Sequence, residues 1–401
     1  MKYLLLFSLF CLFCAGCTKQ AQDQDLLLTV DFESCLKTER AMNISEIADT
    51  VEYLELKTPK DIIISRIWDV IQADGCWIVR SISGISKFSL KGEWIKQIGK
   101  KGQGPGEYLG VRGIDYDPAR KEIILADAQQ VLFYDLDGNY IRNVKITEDY
   151  FYNIGVSDTV LWTTALGLHQ EKHQVHAFNY KKDTLVAFPN PHYGIRVKNA
   201  DAVYFSSSRW EKEFYRYDGG LYLKNRMAND TVFRLSGAER IPHIAFDMGK
   251  YKLPVEYEYW YSTEDFDRYA SAYWAIPSVA EDDRFLFLLS KRWNSLSDNP
   301  REPDKDDKRF IVYDKETRNG FTVKGEYGVQ LEDDILGGSV IWPRFITADY
   351  YIWTREWYEL SDEIKAGLYP SLSPALAKQF EGFNYGTNEL VILCKRKDIK
   401  K

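Results

Sequence analysis

What the chain has little of narrows the reading first. It has only 6 cysteines in 401 residues, and Cys11 and Cys14 lie in the first apolar stretch, with Cys17 just behind it. The three that remain, Cys35, Cys76 and Cys394, are far apart and odd in number, so neither a disulfide framework nor a zinc-ligand spacing can be built from them. Histidines number 5, no Gly-x-Ser-x-Gly elbow occurs, and no glycine run ends in Gly-Lys-Ser/Thr. Basic charge is also short, 52 Lys and Arg against 59 Asp and Glu, which argues against nucleic acid as a partner because phosphate binding needs a net basic face. No cofactor and no metal-ligand set is expected.

Long apolar runs are absent too, apart from Tyr3–Phe13, which is too short to span a bilayer of roughly 30 Å as a helix. With Lys2 ahead of it and Cys14-Ala-Gly-Cys17 behind, residues 1–16 read as a leader that ends in a bacterial lipobox, with Cys17 the lipidated residue. The alternative is an ordinary leader cleaved nearby. Residues 17–44 are then assigned to the anchor and tether, of which Thr18–Asp25 is the most polar part, and the folded domain to 45–397. The anchor places the chain in the cell envelope, on the outer membrane, facing the periplasm or the cell surface.

What is abundant is aromatic residues, 15% of the chain, with 45% hydrophobic overall. That composition suits half-buried pleated strands and a large core. Val51–Lys57 alternates apolar and charged residues, a strand signal. A cassette of strand, turn, strand, Gly hairpin and strand then occurs twice, in 76–98 and 122–144. Gly92 and Gly138 are 46 apart, as are Trp94 and Tyr140. Fainter copies follow in 175–188, 213–235, 284–323 and 345–394. A multi-strand repeat at this period is the mark of propeller blades, since one isolated four-stranded sheet would leave both faces bare. The fold expected is all-β, a six-bladed β-propeller with helical insertions near 256–275 and 360–380, the second broken by Pro370 and Pro374.

Between the first two copies lies Ile98-Gly-Lys-Lys-Gly-Gln-Gly-Pro-Gly-Glu-Tyr108. A phosphate cradle would need a helix N-terminus after it, and none is expected, so Gly102, Gly104, Pro105, Gly106 and Glu107 are assigned to a structural turn between blades. This stretch, followed by Tyr134–Arg142, resembles a family of six-bladed β-propeller lipoproteins of Gram-negative bacteria that is itself similar to NHL-repeat propellers. Asn229–Phe233 with Phe246–Pro254, Asp333–Gly338 with Trp342-Pro343, and Asn388–Lys395 resemble further motifs of that family. The resemblance implies the fold and an envelope location, but no activity, since members are mostly of unassigned function. Arg80-Ser81 departs from it, standing where the family favours an apolar residue followed by Asp.

Candidate site residues come from strand ends, where a channel mouth would lie: Arg80, Arg112, Arg209, Trp210, Trp342, Arg344, Arg355 and Trp357. Trp can stack on a ligand and Arg can fork onto it, although Trp filling the core with Arg at the rim is the plainer reading. His169, His173 and His176 would share a helix face, but on a strand His176 takes the face opposite His173, which argues against a metal. Paired carboxylates such as Asp282-Asp283 read as solvated turns. The function expected is a lipid-anchored binding module for a glycan, a peptide or an envelope protein. The alternatives are a lyase or hydrolase acting at the channel mouth and a structural component of an envelope complex.

Overall fold

The computed structural model describes residues 27–127, 130–145, 152–165, 171–181, 183–191, 193–194, 212–225, 230–254, 271–293, 307–326, 328–384 and 386–397. They form a six-bladed β-propeller, each blade an antiparallel sheet whose innermost strand lines a central channel.

Blade 1 comprises Asp69–Ala73, Cys76–Ser81, Gly84–Ser89 and Trp94–Ile98. Blade 2 comprises Gly113–Asp117, Glu122–Asp127, Gln130–Asp135 and Tyr140–Lys145. Blade 3 runs from Asn153–Ser157 to Thr184–Pro189, and blade 4 from Phe214–Tyr217 to Glu239–Asp247. Blade 5 runs from Trp274–Glu281 to Asn319–Val323. Blade 6 is assembled from both parts of the chain: Phe345–Ile346, Tyr350–Arg355 and Leu390–Arg396 are closed by Ala48–Leu54 as the outermost strand. That strand joins the first part of the fold to the last and completes the ring.

The hydrophobic core is divided by junction. Each pair of neighbouring blades encloses its own apolar cluster, and fully buried Trp77, Trp162 and Trp353 each belong to one of them. Face-to-face burial between blades is what holds a repeat that could not be stable alone. The 46-residue repeat has a packing reason as well. Gly92 and Gly138 both sit at positive φ in their hairpins. A Cβ on Gly92 would meet the Glu55 carbonyl at 2.2 Å, and one on Gly138 the Ile98 side chain at 2.8 Å. In each case the hairpin leans on the outer strand of the preceding blade, so the same residue type is required twice.

Two expectations change. The innermost strands of blades 1, 2, 3 and 5 were missing from the sequence-derived cassettes. Gly113–Asp117 shows why: all five residues are buried, so there is no alternation to read. The folded domain also starts before residue 45. Leu28–Asp31 pairs in parallel with the outer strand of blade 4, and Glu39–Arg40 with that of blade 5. The short helix Phe32–Lys37 between them buries Phe32 and Cys35 against the core of blades 4 and 5. This stretch covers two sheet edges that would otherwise be bare, so residues 28–44 belong to the propeller and not to a tether. The helical region near 360–380 holds two helices, Trp357–Lys365 and Pro374–Glu381, with Pro370 between them and Pro374 opening the second. The segment near 256–275 lies mostly outside the described residues.

Candidate functional site

The channel holds a cavity of about 700 Å³ to which the inner strand of every blade contributes side chains. All six inner strands run in the same direction, so the channel has an end where they begin and an end where they finish.

At the beginning end stand Asp69 of blade 1, Lys212 just ahead of blade 4 and Arg344 just ahead of blade 6. Arg80 lies behind Asp69 because the two are paired across adjacent strands. Its Nε donates to Asp69 Oδ2 at 2.5 Å and its Nη1 to the Val111 carbonyl at 3.2 Å. Arg344 is nearly fully buried and donates to the carbonyls of Ile67 and Trp68 at 2.9 and 3.0 Å, tying blade 6 to blade 1. Lys212 is anchored through its backbone, which pairs with Ser278 of blade 5. Its ammonium lies 4.1 Å from the centre of the Phe345 ring, which the Arg344 guanidinium also covers, at 4.8 Å. Among the described residues no carboxylate lies within 4.0 Å of it. Burial pushes Lys212 down to about 8, against the attraction of Asp69. Burial also works to raise the Asp69 carboxyl, but the Arg80, Lys212 and Arg344 charges outweigh it and hold the group below its ordinary range.

Midway along, Asp115 accepts from the backbone of Val156 at 2.7 Å and from Arg216 at 2.6 Å, joining blades 2, 3 and 4. At the finishing end, Glu281 is fully buried. It accepts from Tyr215 Oη at 2.8 Å and Lys315 Nζ at 3.0 Å, and faces His243 Nε2 at 3.0 Å. Burial alone would raise the Glu281 carboxyl, but His243 and Lys315 bring it below its ordinary range.

Of the residues expected at the site, Arg80 and Arg344 meet here. Arg112 is exposed just ahead of the inner strand of blade 2, and is not part of the cavity wall. Trp342 is core, with its ring 4.9 Å from Phe310 and 5.7 Å from Phe287. Arg355 turns to the helix that follows it, pairing with Glu363 at 2.6 Å, and Trp357 is the first residue of that helix. Neither reaches the channel. Arg209, Trp210, Cys17 and His169 lie outside the described residues. A register shift near Gln174 places His173 and His176 together, ring centres 5.3 Å apart, where a regular strand would have separated them. Among the described residues no group of three metal-ligating side chains is found.

The Gly-rich stretch is a cross-linked turn. Lys100–Lys101 pairs in parallel with Glu107–Tyr108. The Glu107 carboxylate accepts from the Gly104 backbone at 2.8 Å and pairs with Lys100. A Cβ on Gly102 would lie 2.0 Å from that carboxylate, and Gly106, at φ +72, lies under the Tyr140 ring. The segment that follows the loop touches Arg80 through the Val111 carbonyl, and no loop residue lines the cavity.

Sequence reasoning missed Asp69, Lys212 and Glu281. Lys212 sits in no apolar run, and Glu281 precedes two Asp residues that read as a turn. The one available signal was Arg80, an unusual residue where the related pattern is apolar, and it is the partner of Asp69.

Comparisons with known proteins agree with this architecture. The model of a family described as a domain of unknown function (DUF4934) matches residues 27–395, and the chain belongs to that family. No curated protein matches. A crystal structure of a candidate exported protein from Bacteroides fragilis superposes with a TM-score of 0.70 at 16% identity, covering 93% of this chain and all of that one. The extracellular domain of a candidate hybrid two-component system from B. thetaiotaomicron gives 0.38 at 10% identity, over 68% of this chain and 29% of that one. BamB from Moraxella catarrhalis gives 0.34 at 12%, over 68% and 65%.

Proposed function

From the premise that the chain belongs to a family without an assigned activity, we propose that it is an envelope propeller that binds a small polar ligand, a glycan or peptide fragment, in its central channel. The observation that carries this reading is the cavity itself. Its volume of about 700 Å³ lies within the range of small-molecule sites, and its wall sets apolar and aromatic side chains beside many charged ones, which suits a polar ligand. We further propose that the protein is held at the membrane through Cys17, as a member of the lipoprotein and NHL-like group that its motifs resemble. The leader-like residues 1–16 and the small residues before Cys17 support this.

The test is a glycan and peptide array probed with the purified full-length chain in detergent, beside an Ile346→Trp variant that fills the channel from its wall. Hits that vanish in the variant, at an unchanged melting temperature, support the reading. Hits that persist place binding elsewhere. For the anchor, a Cys17→Ala variant should lose the mobility change that lipidation produces, and an unaltered mobility would count against it.

A second reading, catalysis at the same end of the channel, is favoured by one observation. Lys212 is pushed down to about 8, a range in which an amine serves as a general base near neutral pH. Array hits that are cleaved rather than retained, read by mass spectrometry, would favour it.

A further inference from the structure

The chemistry at the beginning end of the channel narrows what the ligand must carry. Resting on the channel-binding reading above, we infer that the Lys212 ammonium is the recognition point for a single carboxylate on a small polar ligand.

Three cations and one carboxylate meet at this end, but they are not equally committed. Arg80 donates to Asp69 and to the Val111 carbonyl, and Arg344 donates to two carbonyls of the segment leading into blade 1. Those bonds hold both guanidiniums at the wall. Lys212 lines the cavity, rests on the face of Phe345 and has no carboxylate within 4.0 Å among the described residues. A half-buried ammonium faced by a ring instead of a counter-ion gains from any anion that reaches it. Asp115, across the channel, does not supply that charge directly, because it is already engaged by Arg216 and the Val156 backbone.

The same geometry selects the anion. Lysine is a point charge without the planar fork that grips phosphate, and the forks nearby are occupied by protein carbonyls and by Asp69. A dianion would also bring a second negative charge towards Asp69, which lines the same cavity. A monocarboxylate asks for one cation and meets one.

Binding should follow the protonation of Lys212. The charged and titratable groups that act on it are Asp69 and Arg80 of blade 1, Asp115 of blade 2 and Arg344 beside blade 6. With the free ammonium titrating at about 8, a carboxylate binds best below that pH and weakens as pH rises through it.

The experiment is calorimetric titration of the full-length chain, Lys212→Met and Lys212→Arg with sodium glucuronate, triglycine and inorganic phosphate, at about pH 6.5 and about pH 9.5. At least one of the two carboxylates should bind the wild type, and weaken roughly 10- to 100-fold in Lys212→Met, the range spanned by charge-assisted hydrogen bonds. Its affinity should fall between the two pH values in wild type and stay level in Lys212→Arg, a readout that loss of structure would not produce. Which carboxylate binds decides between a sugar acid and a peptide end, and either supports the inference. Phosphate binding tighter than both carboxylates, no carboxylate binding, or unchanged affinity in Lys212→Met would each overturn it. Binding that survives Lys212→Met but not Ile346→Trp rejects this inference and leaves the channel reading standing. Survival in both rejects both.

Discussion

The two ends of the channel carry charge for different reasons. At the finishing end the acidic residues belong to the turns that leave each inner strand: Asp74 in blade 1, Asp158 in blade 3, Asp218 in blade 4, Asp283 in blade 5 and Asp349 in blade 6. Asp74, Asp158 and Asp218 have positive φ, a conformation that Asp, Asn and Gly accept more readily than other residues. In blade 5 the neighbouring Asp282 carboxylate accepts from the backbones of Arg284 and Phe285. The negative charge at this end therefore recurs with the repeat and is explained by local turn chemistry. At the beginning end, Arg80, Lys212 and Arg344 come from three different places in the sequence, and no turn requires them. Charge that the backbone does not demand is the better sign of a ligand.

The contrast can be broken or sharpened by substitution. The largest effect is expected at Glu281, a fully buried acid of the finishing end. Glu281→Ala leaves Lys315, His243 and Tyr215 without their shared acceptor and should cost about 3–5 kcal/mol in denaturant unfolding. It should leave ligand affinity unchanged once the protein is kept folded. Because the Glu281 carboxyl is lowered in the folded protein, its contribution is fully present above the ordinary value of 4.5 and is lost as pH falls through the folded value. Equal stability of wild type and variant above that range would remove Glu281 from the structural account.

Next in size is Gly106→Ala, at the beginning end. A Cβ there would lie 2.6 Å from the Tyr140 ring in a backbone already at φ +72, and a loss of about 2 kcal/mol is expected. Gly110→Ala in the same loop meets nothing within 4 Å and should change little. Similar losses in both would mean that the loop is not held as described.

Lys212→Met should act in the opposite direction. A half-buried ammonium without a close counter-ion lowers stability, so its replacement is expected to add up to about 1 kcal/mol at neutral pH. The folded-state value lies below the unfolded one, so the unfolded chain binds the proton more strongly between about 8 and 10.5. Wild-type stability should therefore gain on the variant as pH rises through that window. A destabilised Lys212→Met would show that the residue is a structural tie. The smallest change is expected for Asp218→Gly, which exchanges one residue suited to positive φ for another. It should stay within about 0.5 kcal/mol and leave binding untouched.

Blade count, the all-β class and the role of the Gly-rich loop were legible because they rest on short-range chemistry. Alternating half-buried strands, Gly hairpins at a fixed offset and glycines crowded by Glu107 or Tyr140 each leave a local pattern. The innermost strands of blades 1, 2, 3 and 5 were not legible, and in Gly113–Asp117 and Trp274–Glu281 burial on both faces erases alternation. Neither was Leu28–Arg40, whose strands are too short to show a period and acquire meaning only against the bare edges of blades 4 and 5. The pairing of His173 with His176 depended on a register shift, which residue spacing does not encode.

The candidate site divides in the same way. Arg80 and Arg344 could be picked out among the Arg and Trp residues at strand ends, but Trp342, Arg355 and Trp357 were picked out in the same way and were drawn into the core or onto a helix. By itself, the sequence determined the repeat, the turns and the acidic finishing end, because each is set by residues close together in the chain. Only the tertiary structure decided that Lys212, Asp69, Arg80 and Arg344 share one end of a channel. Their proximity comes from closing the ring, where residues more than a hundred positions apart meet because blade 6 is completed by Ala48–Leu54.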